Sequence, residues 1–471
     1  MGASPQEWVA AVVARTAVLE EANKRASSGP GVMHRIGPTI NPRQSSPMRA
    51  SIPRKTSSRI RRFFSILGPG LVTGAADDDP SGVATYSIVG AQLGTSMLWT
   101  AVLTWPLMGC VQFMCARIGM VTGGGLASAL MKKLPRWLLI MFTIALLAAN
   151  TINVGADLAG MSDAAEMLTG LNSHVFVVLF GVGIGYATIK CRYVQIARIL
   201  KWLSLVLFAY VLTALTIGPD WRTVLHDTFI PTWPTGQDGW ASLVAILGTT
   251  ISPYLFFWQS SQEVEEEKAK GLRTVAARKG ATTQELNDRK LDVGVGTFVS
   301  NLVMYFIMLT CALTLHANGQ KDIESSRQAA EALRPLAGWF AATLYTVGLV
   351  GVGLLAIPTL IGSSAYAFAE TFGWRQGLDR SFRAARPFYA IIMVSTLAAI
   401  GLDFSGINPV RALFWAAVVN GMLAPFLLGG ILLVASDRHL MHNQPSSLLS
   451  RVVVAITTLA MFVAAIALCL V

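Results

Sequence analysis

Three consecutive carboxylates interrupt an apolar stretch early in the chain. The segment GAADDDPSG, Gly74 to Gly82, sets Asp77, Asp78 and Asp79 directly before Pro80. An ionised side chain at membrane depth costs roughly 2.5–3.5 kcal/mol on insertion scales, so it persists only beside a partner, a cavity or a bound cation. Pro80 removes a backbone donor and clashes with the preceding turn, while Gly82 frees the backbone. A helix is expected to break here and to leave carbonyl oxygens without intrahelical partners. Carboxylates with free carbonyls suit a hard cation. The plainer reading, a solvent-facing turn between two helices, needs each flank to span a bilayer alone, and each is too short. Asp79 is the first candidate ligand, directly or through water. Asp78 is a further candidate at the metal site, and Asp77 and Asp78 are also open to three other roles: lining an aqueous path, capping the half-helix, or facing solvent.

A second interruption lies in GTTISPYLFFWQ, Gly248 to Gln259, where Pro253 stands beside Thr249, Thr250, Ser252 and Tyr254. The Thr249 carbonyl and the Ser252 and Tyr254 hydroxyls are candidate ligands. A kinked helix whose hydroxyls bond its own carbonyls is the competing reading.

The elements that must position these groups are membrane spans. Of the 471 residues 53% are hydrophobic and 13% are charged, against nearer ~25% charged in soluble domains. Apolar runs of about 17 to 25 residues recur from Phe63 onward, each long enough to cross a bilayer. About eleven spans are expected, near 63–94 (interrupted), 96–117, 136–160, 174–190, 196–217, 239–260 (interrupted), 292–316, 338–368, 386–403, 409–435 and 451–471. Segments 261–290 and 317–337 are charged enough to carry surface helices. The four glutamates of SQEVEEEK, Ser261 to Lys268, read as a solvated face. Asp157 is expected near the outer end of the third span, where exposure would make it cheap.

Residues 1–62 differ in kind: Ser-, Pro- and Arg-rich, with eleven basic residues and no apolar core for a signal peptide. They read as a basic disordered cytoplasmic tail, with or without contact to anionic lipid. With the N-terminus in the cytoplasm and the chain alternating, 32 of 37 Lys and Arg residues fall inside, and only Arg222, Lys321, Arg327, Arg334 and Arg411 fall outside. That bias predicts N-terminus in, C-terminus out. It also accounts for the net charge of +11 without nucleic acid. The five cysteines lack metal-site spacing and read as core residues; no disulfide framework is expected.

The two interruptions fall in the first helix of each five-helix block, spans 1–5 and 6–10. Paired broken helices at corresponding positions point to inverted repeats, about 63–217 and 239–435, with a site between them near the midplane. The helix at 451–471 is additional.

At these residues the chain resembles the natural resistance-associated macrophage protein (NRAMP) family of divalent-metal transporters, over about residues 63–471. The resemblance implies an all-α leucine-transporter-like 5+5 inverted repeat with helices 1 and 6 broken. The family's first-helix motif is Asp-Pro-Gly-Asn; here it reads Asp79-Pro80-Ser81-Gly82. Gly82 therefore takes the position of a metal-binding Asn. The sixth-helix motif Met-Pro-His reads Ser252-Pro253-Tyr254, with Thr249 at the position of an Ala whose carbonyl binds metal. The acidic pair that the family links to proton transfer aligns with Asn150 and Asn153. The tenth-helix Gln falls at Ala417, and Asn420 follows one turn on, as a ligand or as a helix–helix contact. Thioether and imidazole suit transition metals, whereas carboxylate, carbonyl and hydroxyl suit Mg²⁺ and Mn²⁺. Small residues at Ser81, Gly82, Ser252 and Ala417 would leave room for the waters Mg²⁺ retains. The pattern resembles the NRAMP-related magnesium transporter branch.

The implied function is alternating-access transport of Mg²⁺ and Mn²⁺ without proton coupling, the metal being substrate and no cofactor or obligate protein partner being expected. The rivals are proton-coupled Mn²⁺/Fe²⁺ uptake and, on the same fold, amino-acid transport. Three aspartates at the break would repel an amino acid's carboxylate. A channel filter would need symmetry, and no nucleophile–base pair or zinc spacing for an enzyme lies at membrane depth.

Overall fold

The computed structural model describes residues 68–190, 204–378 and 380–470. Helices fill it. In chain order the principal ones are α1 (Pro69–Asp77), α2 (Pro80–Leu93), α3 (Trp99–Thr122), α4 (Arg136–Thr169), α5 (Ser173–Lys190), α6 (Phe208–Ile217), α7 (Gly236–Thr250), α8 (Pro253–Ala269), α9 (Thr283–Thr314), α10 (Ala341–Phe372), α11 (Arg386–Asp403), α12 (Pro409–Ser436) and α13 (Leu448–Leu470). Among the described residues nine segments are long and apolar enough to cross a membrane, with α7 and α8 counted together. The split first span, α1–α2, and the short α6 bring the total to the expected eleven; the start of the fifth span and the tail at 1–62 lie outside the described residues.

Both expected breaks are present. α1 stops at Asp77 and α2 starts at Pro80, with Asp79 extended between them at φ −68°, ψ 170°. α7 stops at Thr250 and α8 starts at Pro253, with Ser252 extended at φ −75°, ψ 134°. The cause is shared. A residue before proline is pushed out of the α region, and proline is well tolerated as the first residue of the next helix.

The bundle closes around these breaks. α1 and α2 pack on α9, α7 packs on α12, and α4 packs on α10, α11 and α12. Close backbone approach needs glycine here: a Cβ on Gly74 would collide with the Gly296 carbonyl, and one on Gly248 would run into the backbone of Ala417 and Gly421. Small residues at crossings are how membrane helices approach closely.

Several expectations need correction. α9 begins at Thr283 rather than 292, because Thr282 and Glu285 form a capping box that starts the helix in polar sequence. α8 runs on to Ala269, leaving only the short helix Val275–Arg278 in the following segment. A helix at Trp221–Phe229 was not anticipated. Glu263 and Glu267 are buried, not solvated. Glu263 and Glu266 instead hold Arg289 of α9, with Glu263 Oε1 2.8 Å from Arg289 Nε. Cys469 is exposed on α13 rather than in the core, because that helix packs on α12, α7 and α3 along one side and leaves most of its surface uncovered. Cys110, Cys115 and Cys311 are free thiols, half-buried or buried, and Cys191 lies outside the described residues.

Candidate metal site

Asp79 forms the N-cap of α2. Its Oδ1 accepts the Gly82 N–H at 2.7 Å, one of the donors left unpaired at a helix start. Its Oδ2 accepts the Asn153 amide at 3.3 Å and, at 3.5 Å, the hydroxyl of Tyr254. Tyr254 also donates to the Ala76 carbonyl at 2.9 Å, so its ring, carried by α8, closes the C-terminal end of α1. Asp79 and Tyr254 are 2% and 0% exposed. The two breaks thus meet at one carboxylate.

The third span supplies a group that was misplaced from sequence. Asp157 on α4 is fully buried, not near solvent. Its Oδ1 accepts the Ser81 N–H at 3.1 Å and its Oδ2 accepts Asn153 at 3.0 Å. The Asn153 amide nitrogen therefore bridges two buried carboxylates, and its oxygen accepts from Asn420 of α12 at 3.0 Å. The signal was available. Asn150, Asn153 and Asp157 repeat at helical spacing, which puts them on one face. Asn150 is set apart from this chain: it donates to the Leu360 carbonyl at 3.0 Å and to Ser363 and Ser364 at 2.9 Å, joining α4 to α10.

The other candidates divide. Asp78 and Asp77 are buried and do not face solvent; both turn to Ser300 of α9, whose hydroxyl lies 2.6 Å from Asp77 Oδ2 and 3.2 Å from Asp78 Oδ1. Ser252 gives its proton to the Gly248 and Thr249 carbonyls at 2.6 and 2.8 Å, which leaves only its lone pairs for a cation. The Thr249 carbonyl ends α7 with no further partner in that helix. Gly82 offers its N–H to Asp79 and no side-chain ligand. The room expected beside Gly82 is absent: a Cβ there would sit 3.1 Å from Thr249 Oγ1 and 3.4 Å from Asp79 Oδ1. The space is filled because Thr249 leans across the break. Asn420 is 1% exposed, and its Oδ1, like Asp77 Oδ1, is buried without a hydrogen-bond donor. Such orphaned acceptors are costly unless a donor or cation reaches them.

Among the described residues no three His, Cys, Asp or Glu side chains converge closely enough to hold a metal. What converges instead is one or two carboxylates with carbonyl, hydroxyl and amide oxygens. Residues 70–471 match the model of the natural resistance-associated macrophage protein-like family, Nramp. The chain belongs to the Nramp family. Its fold is accordingly the all-α leucine-transporter-like 5+5 inverted repeat with a further helix. This Nramp chain is 26% identical over 406 residues to a divalent metal cation transporter MntH of Yersinia enterocolitica, covering 85% of this chain and 93% of that one. It is 24% identical over 406 residues to the MntH of Caldanaerobacter subterraneus, covering 83% and 90%. Among solved structures, a manganese transporter of Eremococcus coleocola aligns with a TM-score of 0.68 at 16% identity, over 88% of each chain. MhsT in complex with L-phenylalanine aligns at 0.53 and 14% identity, over 84% of this chain and 98% of that one. This Nramp chain is an integral membrane protein, and its relatives point to a transporter rather than an enzyme.

Proposed function

We propose that this protein carries hard divalent cations, Mg²⁺ and Mn²⁺, across a membrane by alternating access and without coupled protons. The observation that carries the reading is the donor set around Asp79. The carboxylate sits between both broken helices; of the side chains grouped with it (Asn153, Tyr254, Thr249, Asp157, Asn420), each carries oxygen and none is a thioether or an imidazole. Oxygen donors suit Mg²⁺ and Mn²⁺ better than Fe²⁺ or Cu²⁺. In this reading Asp79 binds the ion, with the Thr249 carbonyl, Tyr254 and the unpaired Asn420 Oδ1 as further ligands directly or through water, and Ser252 through its lone pairs. Asp78 and Gly82 border the site, the latter by bringing α2 against Thr249. The closed packing around Asp79 corresponds to a state shut to both sides, and rocking of one half of the bundle opens it.

The N-terminus faces the cytoplasm and the C-terminus the outside in this reading, supported by the distribution of Lys and Arg. An inward-negative potential then drives a doubly charged ion with about 4.6 kcal/mol per 100 mV. One observation favours the proton-coupled alternative. Asp157 lies one turn from Asn153, so an acidic group faces Asp79 although the expected pair position holds asparagines.

The deciding experiment places purified protein in liposomes and follows Mg²⁺ and Mn²⁺ entry together with internal pH, with Asp79→Ala as control. Entry abolished in the variant, without acidification, is the expected result. Metal-dependent acidification in the wild type moves the protein to proton-coupled uptake. No entry of either ion overturns the metal assignment.

A further inference from the structure

Two adjoining cavities at one end of the bundle are not used by the transport site. The first, about 420 Å³, lies where the C-terminal part of α3 and the N-termini of α9 and α13 meet; its lining includes Arg117, Thr283, Asn287, Lys290, Ser446 and Ser450. The second, about 540 Å³, shares Asn287 and Lys290 and continues along α9 past Trp105, Leu291 and Phe298. Both fall in the size range of small-molecule sites.

Their chemistries differ in a telling way. The first holds two cations, Arg117 and Lys290, and among the described residues neither has an acidic partner. Arg117 spends its Nε on the Gln444 carbonyl at 3.1 Å, leaving the rest of its fork available. The Ser446 Oγ on the same wall is buried, with no hydrogen-bond partner. Unpaired guanidinium and ammonium groups beside hydroxyls suit a phosphate. The second cavity is a groove on the membrane-facing surface. Trp105, Leu291 and Phe298 are each more than 40% exposed there, and Trp105 and Phe298 pack edge-to-face at 5.0 Å. From Lys290 to Phe298 the groove follows α9 for about 12 Å. A phosphate pocket at the bundle end thus opens into an apolar channel directed into the bilayer.

We propose that this pair of cavities binds one anionic phospholipid, with its phosphate between Arg117 and Lys290 and an acyl chain along Trp105, Leu291 and Phe298. Basic pockets between spans recognise lipid headgroups in this way. The bound lipid ties α3, α9 and α13 together at the end where the backbones of Val121 and Gly280 also join. The proposal depends on the membrane-spanning fold and not on which ion is carried.

The test uses the full-length protein, delipidated in mild detergent. Phosphatidylglycerol, phosphatidylcholine or inorganic phosphate is added, and retention is read by native mass spectrometry alongside the melting midpoint. The wild type is expected to retain phosphatidylglycerol over phosphatidylcholine. Lys290→Gln is expected to weaken retention of phosphatidylglycerol about fivefold, Lys290→Arg to preserve it, and Lys290→Gln with Arg117→Gln to weaken it roughly 25-fold. Lys290 is exposed and makes no ion pair among the described residues, so its replacement leaves the fold in place, which size-exclusion chromatography checks. Equal retention of the two lipids, or unchanged retention in the double variant, overturns the proposal. A rise in melting midpoint with inorganic phosphate equal to that with phosphatidylglycerol also overturns it, since the site would then take free anion.

Discussion

Replacing Asp292 should release α1. That helix has no side-chain cap of its own, because glycine occupies its N-cap position. Its first N–H groups are taken instead by a carboxylate 221 to 224 residues away. Asp292 Oδ1 accepts from Gly68 at 2.8 Å and Leu71 at 3.0 Å; Oδ2 accepts from Gly70 at 2.8 Å and from Arg289 at 2.5 Å. Pro69 has no N–H to satisfy, so these three bonds account for the start of the helix. Asp292 is fully buried. In Asp292→Ala three backbone donors lose a charged acceptor; counting only the value of a neutral hydrogen bond, about 1 kcal/mol net each, sets a lower bound. Arg289 keeps Glu263 and Glu266, so the larger penalty of an orphaned buried charge is avoided. The sum, about 3 kcal/mol, corresponds to roughly a 150-fold rise in local opening. In Asp292→Asn the oxygen that serves Gly68 and Leu71 survives; the Arg289 bond is lost as well, but of the three bonds to α1 only that from Gly70 goes, for roughly a fivefold rise in opening of α1. Hydrogen exchange in the peptide spanning 68–77 measures both. A rise below fivefold for Asp292→Ala, or an equal rise across every helix, would refute local docking of α1 by this carboxylate.

Three further outcomes follow from the same geometry. Asp157→Asn is isosteric but removes a charge and one of the two hydrogen bonds accepted from Ser81 and Asn153, so the KM of the proposed Mg²⁺ transport should rise roughly tenfold, about 1.4 kcal/mol; an unchanged KM would mean that Asp157 only supports α2. Gly248→Ala drives a methyl into the backbone of Ala417 and Gly421 and should destabilise the α7–α12 packing by about 1–3 kcal/mol; thermal unfolding at the wild-type midpoint would show that the two helices can separate freely. The Lys133 ammonium, followed by the N–H groups of Leu440 and His439, pushes the Asp437 carboxyl down to about 2. Its folded value is thus depressed, so its contribution is present above the ordinary carboxylate value near 4 and is lost as pH falls toward 2. Protection against hydrogen exchange in 437–447, taken relative to the intrinsic rate at each pH, should fall over that interval in the wild type and stay level in Asp437→Asn.

Much of the architecture was legible because the bilayer imposes local rules. Length and apolarity mark spans one at a time, and Pro80 and Pro253 act on the residue just before them, so both breaks could be placed without knowing what packs against them. Extents were less legible: α9 starts in charged sequence because its capping box outweighs polarity, and α8 continues through glutamates of which Arg289 holds Glu263 and Glu266 from another helix and Lys268 holds Glu265.

The sequence by itself determined that the chain crosses a membrane about eleven times, that two helices break, and that Asp79 stands at one of the breaks. These follow from hydrophobic run length and from proline sterics, which act within a few residues. Only the tertiary structure decided which groups surround Asp79. Asn153 and Asp157 reach it from α4, Tyr254 from α8 and Asn420 from beyond Asn153, while Asp77 and Asp78 turn away to Ser300. The direction of a side chain from a broken helix depends on which helices cross there. Those crossings are set by close packing at Gly74, Gly248 and Gly296, which bring residues hundreds of positions apart to within a hydrogen bond of one another.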